Sequence, residues 1–377
     1  MSKVKSRTVS RSDVKEENLL VLIRDGWLPI PKSIIPPERK NFLWDTLELQ
    51  HYDSSRDYKG KLLDNLRSAL YRTILEWGDI DNIDSIGVWL SGGVDSSTLL
   101  YLTCEVLGPE KVHAYSVDFG NQNEVERAKL IADWCDVRLV IEEMTAEDSI
   151  RLTEETVLNR RGPVDTTHVT FASKLCNREG TKRVLSALGL DELQGGYPAH
   201  VNASEEEFFE VETNLLWKCQ SYYAMVSKTE SKRHVDVKFP FLNEELIAWC
   251  RGLPRTHKCI SRETKVRLRS GLKADSLIPD KIIEAGRNVG TKEGFCPTLE
   301  RWFENGLEDW CEENLPPDGL TSQTRFKIDD LMKRQLWRKW RAATINTFLR
   351  LLDAGKFEMI SGIDRSGGAN VGPGLEA

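Results

Sequence analysis

The chain has 377 residues, of which 40% are hydrophobic and 29% are charged, a balance typical of a globular protein with one large domain or two ordinary ones. Its net charge of −7 argues against a broad nucleic-acid-binding surface, which needs an excess of basic residues, but it leaves room for a local basic pocket. The longest apolar runs have the length of strands, and no apolar core follows the basic N-terminal residues. The sequence therefore predicts neither a membrane span nor a secretory signal. Eight scattered cysteines without a CxxC pair predict reduced thiols and a cytoplasmic location.

Residues 1–60 are predicted to be a leader or linker. A charged start is followed by LPIPKSIIPPERKNFLW, whose prolines exclude a long helix and favour an extended segment. From Lys61 the character changes, because apolar side chains at helical spacing predict an amphipathic helix. These side chains are Leu63, Leu66, Leu70, Ile74 and Trp77.

Predicted strands then alternate with predicted helices. The apolar run at 86–90 and the segments at 112–119 and 137–144 have the length of strands, and a helical pattern covers 124–135. Alternation at this interval indicates a parallel sheet with helices on both faces. From Thr145 helical patterns dominate, with one further strand candidate at 182–186.

The predicted fold class is therefore α/β, with a parallel sheet of about five strands flanked by helices and a mainly helical C-terminal half. The main predicted domain covers 61–355. The glycine-rich tail at 356–377 has almost nothing to bury, and we expect it to be disordered.

The motif that carries most chemical information is SGGVDSS, directly after the predicted strand that ends at Leu90. Glycines let the backbone approach a ligand closely, and the serine hydroxyls and amides can donate to phosphate oxygens. The loop opens a helix, whose N-terminus favours an anion. An aspartate in a bare anion site would repel phosphate, so Asp95 indicates a bridging Mg²⁺ ion. The alternative is a plain glycine turn with serine caps.

This heptad resembles the PP-loop of ATP pyrophosphatases, enzymes that release AMP and pyrophosphate. The resemblance implies their fold, which is called adenine nucleotide alpha hydrolase-like. Four further blocks resemble asparagine synthetases, in the family's order. LSALGLDELQGGY at 185–197 resembles LSGxGxDELFGGY, and KFPFLN at 238–243 resembles RxPFLD. TKVRLR at 264–269 resembles TKxxLR, and KEGF at 292–295 resembles KQGF. The wider family includes β-lactam and carbapenam synthetases and lasso-peptide cyclases.

The resemblance implies a site for ATP and Mg²⁺. Asp95 and Asp191 would hold the metal on the triphosphate, and Lys265 and Lys292 would neutralise charge on the departing pyrophosphate. The residues implied to contact the nucleotide are Leu90, Ser91, Gly92, Gly93, Asp95, Ser96, Ser97, Val117, Ser186 and Gly189. His168 is an acid–base candidate without an identifiable partner, and we interpret it as a structural histidine of a predicted helix at 165–177.

Two departures from the family pattern bear on the product. Asparagine synthetases carry an N-terminal glutaminase domain whose nucleophile is the cysteine after the initiator methionine. This chain has Ser2 and about 60 residues before the synthetase domain, so we expect no such domain. At the position of the family's glutamate, where the cyclising relatives place a tyrosine, stands Leu188. Leucine cannot accept a proton, so we expect a product other than asparagine.

The predicted function is that of an ATP-dependent carbon–nitrogen ligase. It would adenylate a carboxylate of a small molecule or peptide, release pyrophosphate, and transfer the acyl group to an amine or to ammonia, which a separate glutaminase could supply. We expect no membrane and no nucleic acid as partner, and a homodimer is left open. The remaining alternatives are an intramolecular cyclase of the β-lactam or lasso-peptide type, a PP-loop enzyme that modifies nucleobases or tRNA, and a non-catalytic nucleotide-binding subunit.

Overall fold

A five-stranded parallel sheet is the centre of the fold in the computed structural model. The structure describes residues 5–8, 61–160, 162–164, 166–216, 218–219, 234–288, 299–316 and 336–361. The strands of the sheet are β1 Ile86–Trp89, β2 Val112–Asp118, β3 Arg138–Glu143, β4 Arg183–Leu185 and β5 Asp236–Lys238. Their order across the sheet is β3-β2-β1-β4-β5, and every pairing is parallel. The predicted parallel sheet of about five strands is confirmed, and the sequence predicted the position of the first four.

Strand β1 lies at the middle of the sheet and is buried on both faces. Ile86 and Val88 have no exposed surface, and Val88 pairs with Ala114 of β2 on one side and with Leu185 of β4 on the other. Gly87 lies between Ile86 and Val88, and a Cβ atom on it would come within 2.9 Å of the Thr181 side chain. A continuous apolar run with one glycine is therefore what this crowded central position requires.

Helices cover the sheet as the alternating pattern predicted. The helices of the first half are α1 Leu62–Leu75, α2 Val94–Leu107, α3 Gln122–Trp134, α4 Ala146–Arg160 and α5 His168–Arg178. Those that follow β4 are α6 Leu190–Leu193, α7 Pro198–Asn202, α8 at 205–216, α9 Glu244–Arg251, α10 Arg255–Lys258, α11 Val266–Ala274, α12 Asp280–Glu284, α13 Leu299–Trp302, α14 Glu308–Glu313 and α15 Leu336–Asp353. Short strands Cys259–Ile260 and Glu263–Thr264 form an antiparallel pair between α10 and α11. Among the described residues, no helix is both long enough and apolar enough to cross a membrane.

The two larger apolar clusters among the described residues stabilise this arrangement. The larger cluster joins the sheet to α1 and α2, and it includes the fully buried Leu66, Leu70 and Leu99. The second cluster begins where β2 ends, with Val117 and Phe119, and is completed by Trp302 and Trp340 of the C-terminal helices. The C-terminal helices therefore pack beyond the edge of the sheet at which β2 ends.

The segments predicted as leader and tail meet in the structure. Lys5–Thr8 pairs antiparallel with Glu358–Ser361, and Phe357 is buried beside Phe348, with ring centroids 5.3 Å apart. Phe357 and the strand at 358–361 therefore have partners within the predicted tail, whose boundary at 356 stays a prediction. Apart from these segments, the predicted leader at 1–60 and the rest of the predicted tail lie outside the described residues.

Candidate active site

The candidate site lies at the carboxyl ends of β1 and β4. The chain runs from β1 to β2 and β3 on one side of the sheet and later returns to β4 and β5 on the other. In such sheets a crevice opens where the strand order reverses, and ligands bind there. The SGGVDSS loop follows β1, and the LSALGLDELQGGY block begins in β4. Two of the sequence blocks therefore flank the crevice.

The loop after β1 is held by its own serines. The Ser91 amide donates to Ser96 Oγ at 3.1 Å, and the Ser96 hydroxyl donates in turn to the Gly93 carbonyl oxygen at 3.2 Å. Ser96 is nearly buried, and Ser97 is buried completely. Of the hydroxyls predicted to reach phosphate, those of Ser96 and Ser97 are thus enclosed. Helix α2 begins after Gly93 without a side-chain cap, so the first-turn amides are the better placed donors.

Two carboxylates and one lysine converge in the crevice. Lys265 Nζ lies 2.5 Å from Asp95 Oδ2 and 2.7 Å from Asp191 Oδ1. Asp95 stands in the first turn of α2, and Asp191 in the first turn of α6. Burial lowers the pKa of Lys265, but the charges of Asp191 and Asp95 outweigh burial and raise it above its ordinary value. The lysine is therefore charged, and three of the predicted site residues are brought together.

The backbone holds Lys265 in an uncommon conformation. Its φ of 56° and ψ of 36° are left-handed, and its amide donates to the Gln194 carbonyl oxygen at 3.1 Å. The buried Arg269 guanidinium ties the neighbouring chain by donating to the backbone carbonyl oxygens of Thr264 at 3.0 Å, Gly286 at 3.1 Å and Ile283. Burial lowers the pKa of Arg269. Its guanidinium donates to uncharged carbonyl oxygens, so its role is to hold the backbone of this loop in place.

The segment that carries Asp191 depends on its glycines. Gly189 has a φ of 102°, and a Cβ atom there would lie 2.6 Å from Leu242 Cδ2 of the KFPFLN block. A Cβ atom on Gly196 would lie 2.0 Å from Asp191 Oδ1. The DELQGG and PFLN blocks are therefore one packed unit, and close approach explains both glycines.

The carboxylate pair suits a magnesium ion. The described residues contain no group of three or more histidine, cysteine or acidic side chains that could hold a metal by themselves. Mg²⁺ is commonly bound through one or two carboxylates together with substrate phosphates and water. Asp95 and Asp191 already converge on one cationic atom, Lys265 Nζ, so the residues present fit a nucleotide-bound Mg²⁺.

Of the remaining predicted site residues, Leu90, Val117 and Ser186 lie in strands of the sheet or directly after them. Leu90 and Val117 are buried, and Leu90 donates its amide to the Tyr115 carbonyl oxygen at 2.8 Å, so contacts from Leu90 to a ligand would come from its backbone. Ser186 follows β4, and its Oγ accepts the Leu188 amide at 3.4 Å. Leu188 itself is half-buried against the larger apolar cluster. Lys292 and the KEGF block lie outside the described residues.

His168 belongs to the packing at the start of α5. Its ring meets the Phe119 ring edge-on, with centroids 6.1 Å apart. Burial, and secondarily the charge of Arg160, lower the pKa of His168 to about 3. Such a histidine is neutral and weakly basic at neutral pH, which agrees with the structural interpretation.

A buried ionic cluster lies behind the site, and the sequence reasoning did not find it. Lys258 Nζ contacts Glu212 Oε1, and Arg251 Nη1 lies 3.8 Å from Glu212 Oε2, all with side chains 1% exposed. Arg251 also donates to Thr213 Oγ1 at 2.9 Å and stacks on Phe209 at 4.0 Å. No local pattern indicates this cluster, because Glu212 and Lys258 are 46 residues apart. Gly195 packs against Lys258, where a Cβ atom would lie 3.2 Å away.

Comparison with known proteins assigns the family. The profile of the asparagine synthase family matches residues 83–232 and 210–361. The chain belongs to this family. The four blocks and the carboxylate pair lie within the matched residues.

The curated relatives are longer than the matched part of this chain. A Methanocaldococcus jannaschii protein, provisionally named asparagine synthetase [glutamine-hydrolyzing] 1, is 28% identical over 319 residues, which cover 76% of this chain and 56% of the relative. Asparagine synthetase [glutamine-hydrolyzing] 1 of Lotus japonicus is 28% identical over 196 residues, which cover 47% of this chain and 33% of the relative. The chain thus spans about half the length of the first relative and a third of the second.

Similarity to solved structures is low. The NMN synthetase of Francisella tularensis aligns with a TM-score of 0.34 at 11% identity, covering 72% of this chain and 91% of that one. The NH3-dependent NAD synthetase of Campylobacter jejuni aligns with a TM-score of 0.32 at 12% identity, covering 74% and 94%.

Proposed function

We propose that this protein is an ATP-dependent amide-forming ligase that adenylates a substrate carboxylate and transfers the acyl group to a nitrogen nucleophile. The observation that carries the proposal is the meeting of Asp95, Asp191 and Lys265 at the carboxyl ends of β1 and β4. Membership of the asparagine synthase family supports the same reaction class.

In the first half-reaction, a carboxylate oxygen of the substrate attacks the α-phosphorus of ATP. The bond from the α-phosphorus to the bridging oxygen breaks, and pyrophosphate leaves. Bound Mg²⁺ would supply positive charge against the phosphates. Asp95 and Asp191 would hold that ion, and the α2 amides and Lys265 would stabilise negative charge that develops on the leaving group. Lys292 joins Lys265 in this proposal through the family resemblance.

In the second half-reaction, the nitrogen attacks the acyl carbon, AMP leaves with the electron pair of the broken bond, and the nitrogen loses a proton. Leu188 offers no acceptor for that proton and presents a half-buried apolar side chain instead. The proposal is that the amine arrives unprotonated or that a base from another element accepts its proton. An apolar wall does not suit aspartate with ammonia, so the proposed product is an amide other than asparagine.

The test is release of pyrophosphate from ATP and Mg²⁺ across a panel of carboxylates, amino acids and short peptides, each with and without an added amine. With an ¹⁸O-labelled carboxylate, adenylation followed by amide formation transfers one label to AMP. Asp95→Asn should lower pyrophosphate release by roughly 100-fold or more. Asp64→Asn is the matched control, because Asp64 is an exposed residue of α1 paired with Arg67, and it should leave the rate unchanged.

The products distinguish the alternatives. ADP in place of AMP, or unlabelled AMP, would contradict the proposed chemistry. Labelled AMP without an added amine, together with a product that is one water lighter than the substrate, would identify an intramolecular cyclase. Turnover that appears only with added RNA would favour a nucleobase-modifying enzyme, and rapid formation of asparagine would contradict the interpretation of Leu188.

A further inference from the structure

Lys265 occupies the position that the proposed function assigns to a metal. Its ammonium nitrogen lies 2.5 Å from Asp95 Oδ2 and 2.7 Å from Asp191 Oδ1, and the residue is 3% exposed. Mg²⁺ binds carboxylate oxygens at about 2.0–2.1 Å, so an ion on the Asp95 oxygen would lie within about 5 Å of Nζ. Two cations this close in a buried site repel each other strongly.

From this geometry we infer that Lys265 is an internal cation of the nucleotide-free site, and that the magnesium–nucleotide complex displaces its ammonium from the carboxylates toward the phosphates. This inference rests on the proposed function. It assigns Lys265 a second duty besides contact with the leaving group, namely to exclude free metal from Asp95 and Asp191.

The charges of the free site explain why a lysine is needed there. Asp95 and Asp191 converge on one point, and their side chains are only 16% and 17% exposed. Two converging carboxylates with little solvent repel each other unless a cation lies between them. Lys265 supplies that cation from within the chain, so the site is formed before any ligand arrives.

The structure permits the exchange without a change of fold. The backbone of Lys265 is fixed by its bond to the Gln194 carbonyl oxygen, and the preceding Thr264 is held by Arg269. The ammonium is carried on a flexible four-carbon stem, so rotation of side-chain bonds is enough to move it.

The nature of the entering ligand decides whether the exchange is favourable. Free Mg²⁺ would expel the ammonium and give it no new anion, which would leave a buried charge unpaired. A magnesium–nucleotide complex brings its own phosphates, which accept the displaced ammonium. Lys265 should therefore make the site bind metal weakly alone and well with nucleotide.

Equilibrium dialysis with Mn²⁺ tests this inference, because it separates metal bound to the protein from metal bound to free nucleotide. The full-length protein is titrated with Mn²⁺ alone and with Mn²⁺ plus α,β-methylene-ATP, which cannot be split between the α and β phosphates. The wild type should bind Mn²⁺ weakly alone and tightly with the analogue. Lys265→Met should bind Mn²⁺ alone at least about tenfold more tightly than the wild type.

Two variants show where and why the affinity rises. Lys273→Met is the matched control, because Lys273 is exposed on the same helix and pairs with Glu284, and it should behave as the wild type. Asp95→Asn combined with Lys265→Met should lose the gain. Lys265→Gln keeps a hydrogen-bond donor, and it replaces Lys265→Met if circular dichroism shows that the latter does not fold.

Equal affinity of the wild type and the Lys265 variants for Mn²⁺ alone would overturn the inference, as would a gain that persists with Asp95→Asn. The proposed function fails in a different way, since it is contradicted if the wild type does not bind Mn²⁺ with the nucleotide analogue.

Discussion

Gly92 and Gly93 are neighbours in the loop after β1, but the backbone makes different demands on them. Gly92 has a φ of 73°, and a Cβ atom there would lie 2.5 Å from the Glu124 carbonyl oxygen of α3. Gly93 has an ordinary φ of −81°, and its Cβ atom would meet only Ser91 Oγ, at 3.4 Å. Gly92 thus serves the packing of the loop on α3, and Gly93 leaves space on the open side.

Alanine at each position should separate these roles. Gly92→Ala should lower the free energy of unfolding by about 1–3 kcal/mol from the left-handed backbone, with a further loss from the contact with α3. Gly93→Ala should stay within about 1 kcal/mol of the wild type, the usual scale of a change at a helix N-cap, but bind nucleotide more weakly. Urea unfolding and equilibrium binding of an ATP analogue measure the two effects. If Gly92→Ala is as stable as the wild type, the loop does not pack on α3 as described.

The sequence identified the residues of the loop but not this division of roles. From the motif alone, both glycines are interpreted as allowing close approach to a ligand. The motif contains no information about α3, which lies further along the chain and packs against Gly92. The meeting of Asp95 with Asp191 followed from the family blocks. The position of Lys265 between them did not, since its contact with Asp95 spans 170 residues.

At the scale of elements, the ionic cluster of Glu212, Lys258 and Arg251 joins α8 to α9 and α10. All three side chains are 1% exposed, so each charge has lost its water. Removing one partner of such a pair typically costs about 3–5 kcal/mol, whereas removing both costs less. The cluster therefore fixes how these helices meet behind the Asp191 segment.

A double-mutant cycle tests this role. Glu212→Leu should lower the free energy of unfolding by about 3–5 kcal/mol, because Lys258 and Arg251 are then buried without their counter-charge. Glu212→Leu combined with Lys258→Met should be more stable than Glu212→Leu alone, because one of the two uncompensated charges is gone. The exposed pair of Lys281 and Glu126, 3.1 Å apart, is the control, and Lys281→Met should cost at most about 1 kcal/mol. Additive losses in the buried pair would show that the charges do not interact.

The strands show which elements a pattern can predict. β1 to β4 lie within the segments predicted for them. β1 and β2 are largely buried apolar segments, as central parallel strands are, whereas the edge strand β3 has no buried residue. β5 has three residues, of which only Val237 is fully buried, and Pro240 follows two residues after its end. So short an edge strand takes its structure from pairing with β4, and the local sequence does not reveal it.

At the scale of the whole molecule, His168 makes stability depend on pH. Its pKa in the folded protein is about 3, against about 6.5 in an unfolded chain. Between these values the unfolded state binds a proton that the folded state does not. The stability that neutral His168 contributes is therefore complete above about pH 6.5 and is lost as the pH falls toward 3.

The expected size of the loss is at most about 2 kcal/mol between pH 7.5 and pH 5. His168→Gln has no such titration, so its free energy of unfolding should fall less over the same range. Urea unfolding of both proteins at the two pH values measures the difference. An equal fall in both proteins would mean that the pKa of His168 is the same in the folded and the unfolded state.

The long separation between Asp95 and Lys265 has a consequence for the order of folding. Helices and neighbouring segments close short loops quickly, whereas parallel pairing across distant segments is slow. A chain that has emerged from the ribosome only as far as α5 contains the SGGVDSS loop but neither Asp191 nor Lys265. Nascent and partly folded chains therefore lack the assembled site, and recovery of nucleotide binding during refolding should coincide with the slowest kinetic phase and not with the return of helix.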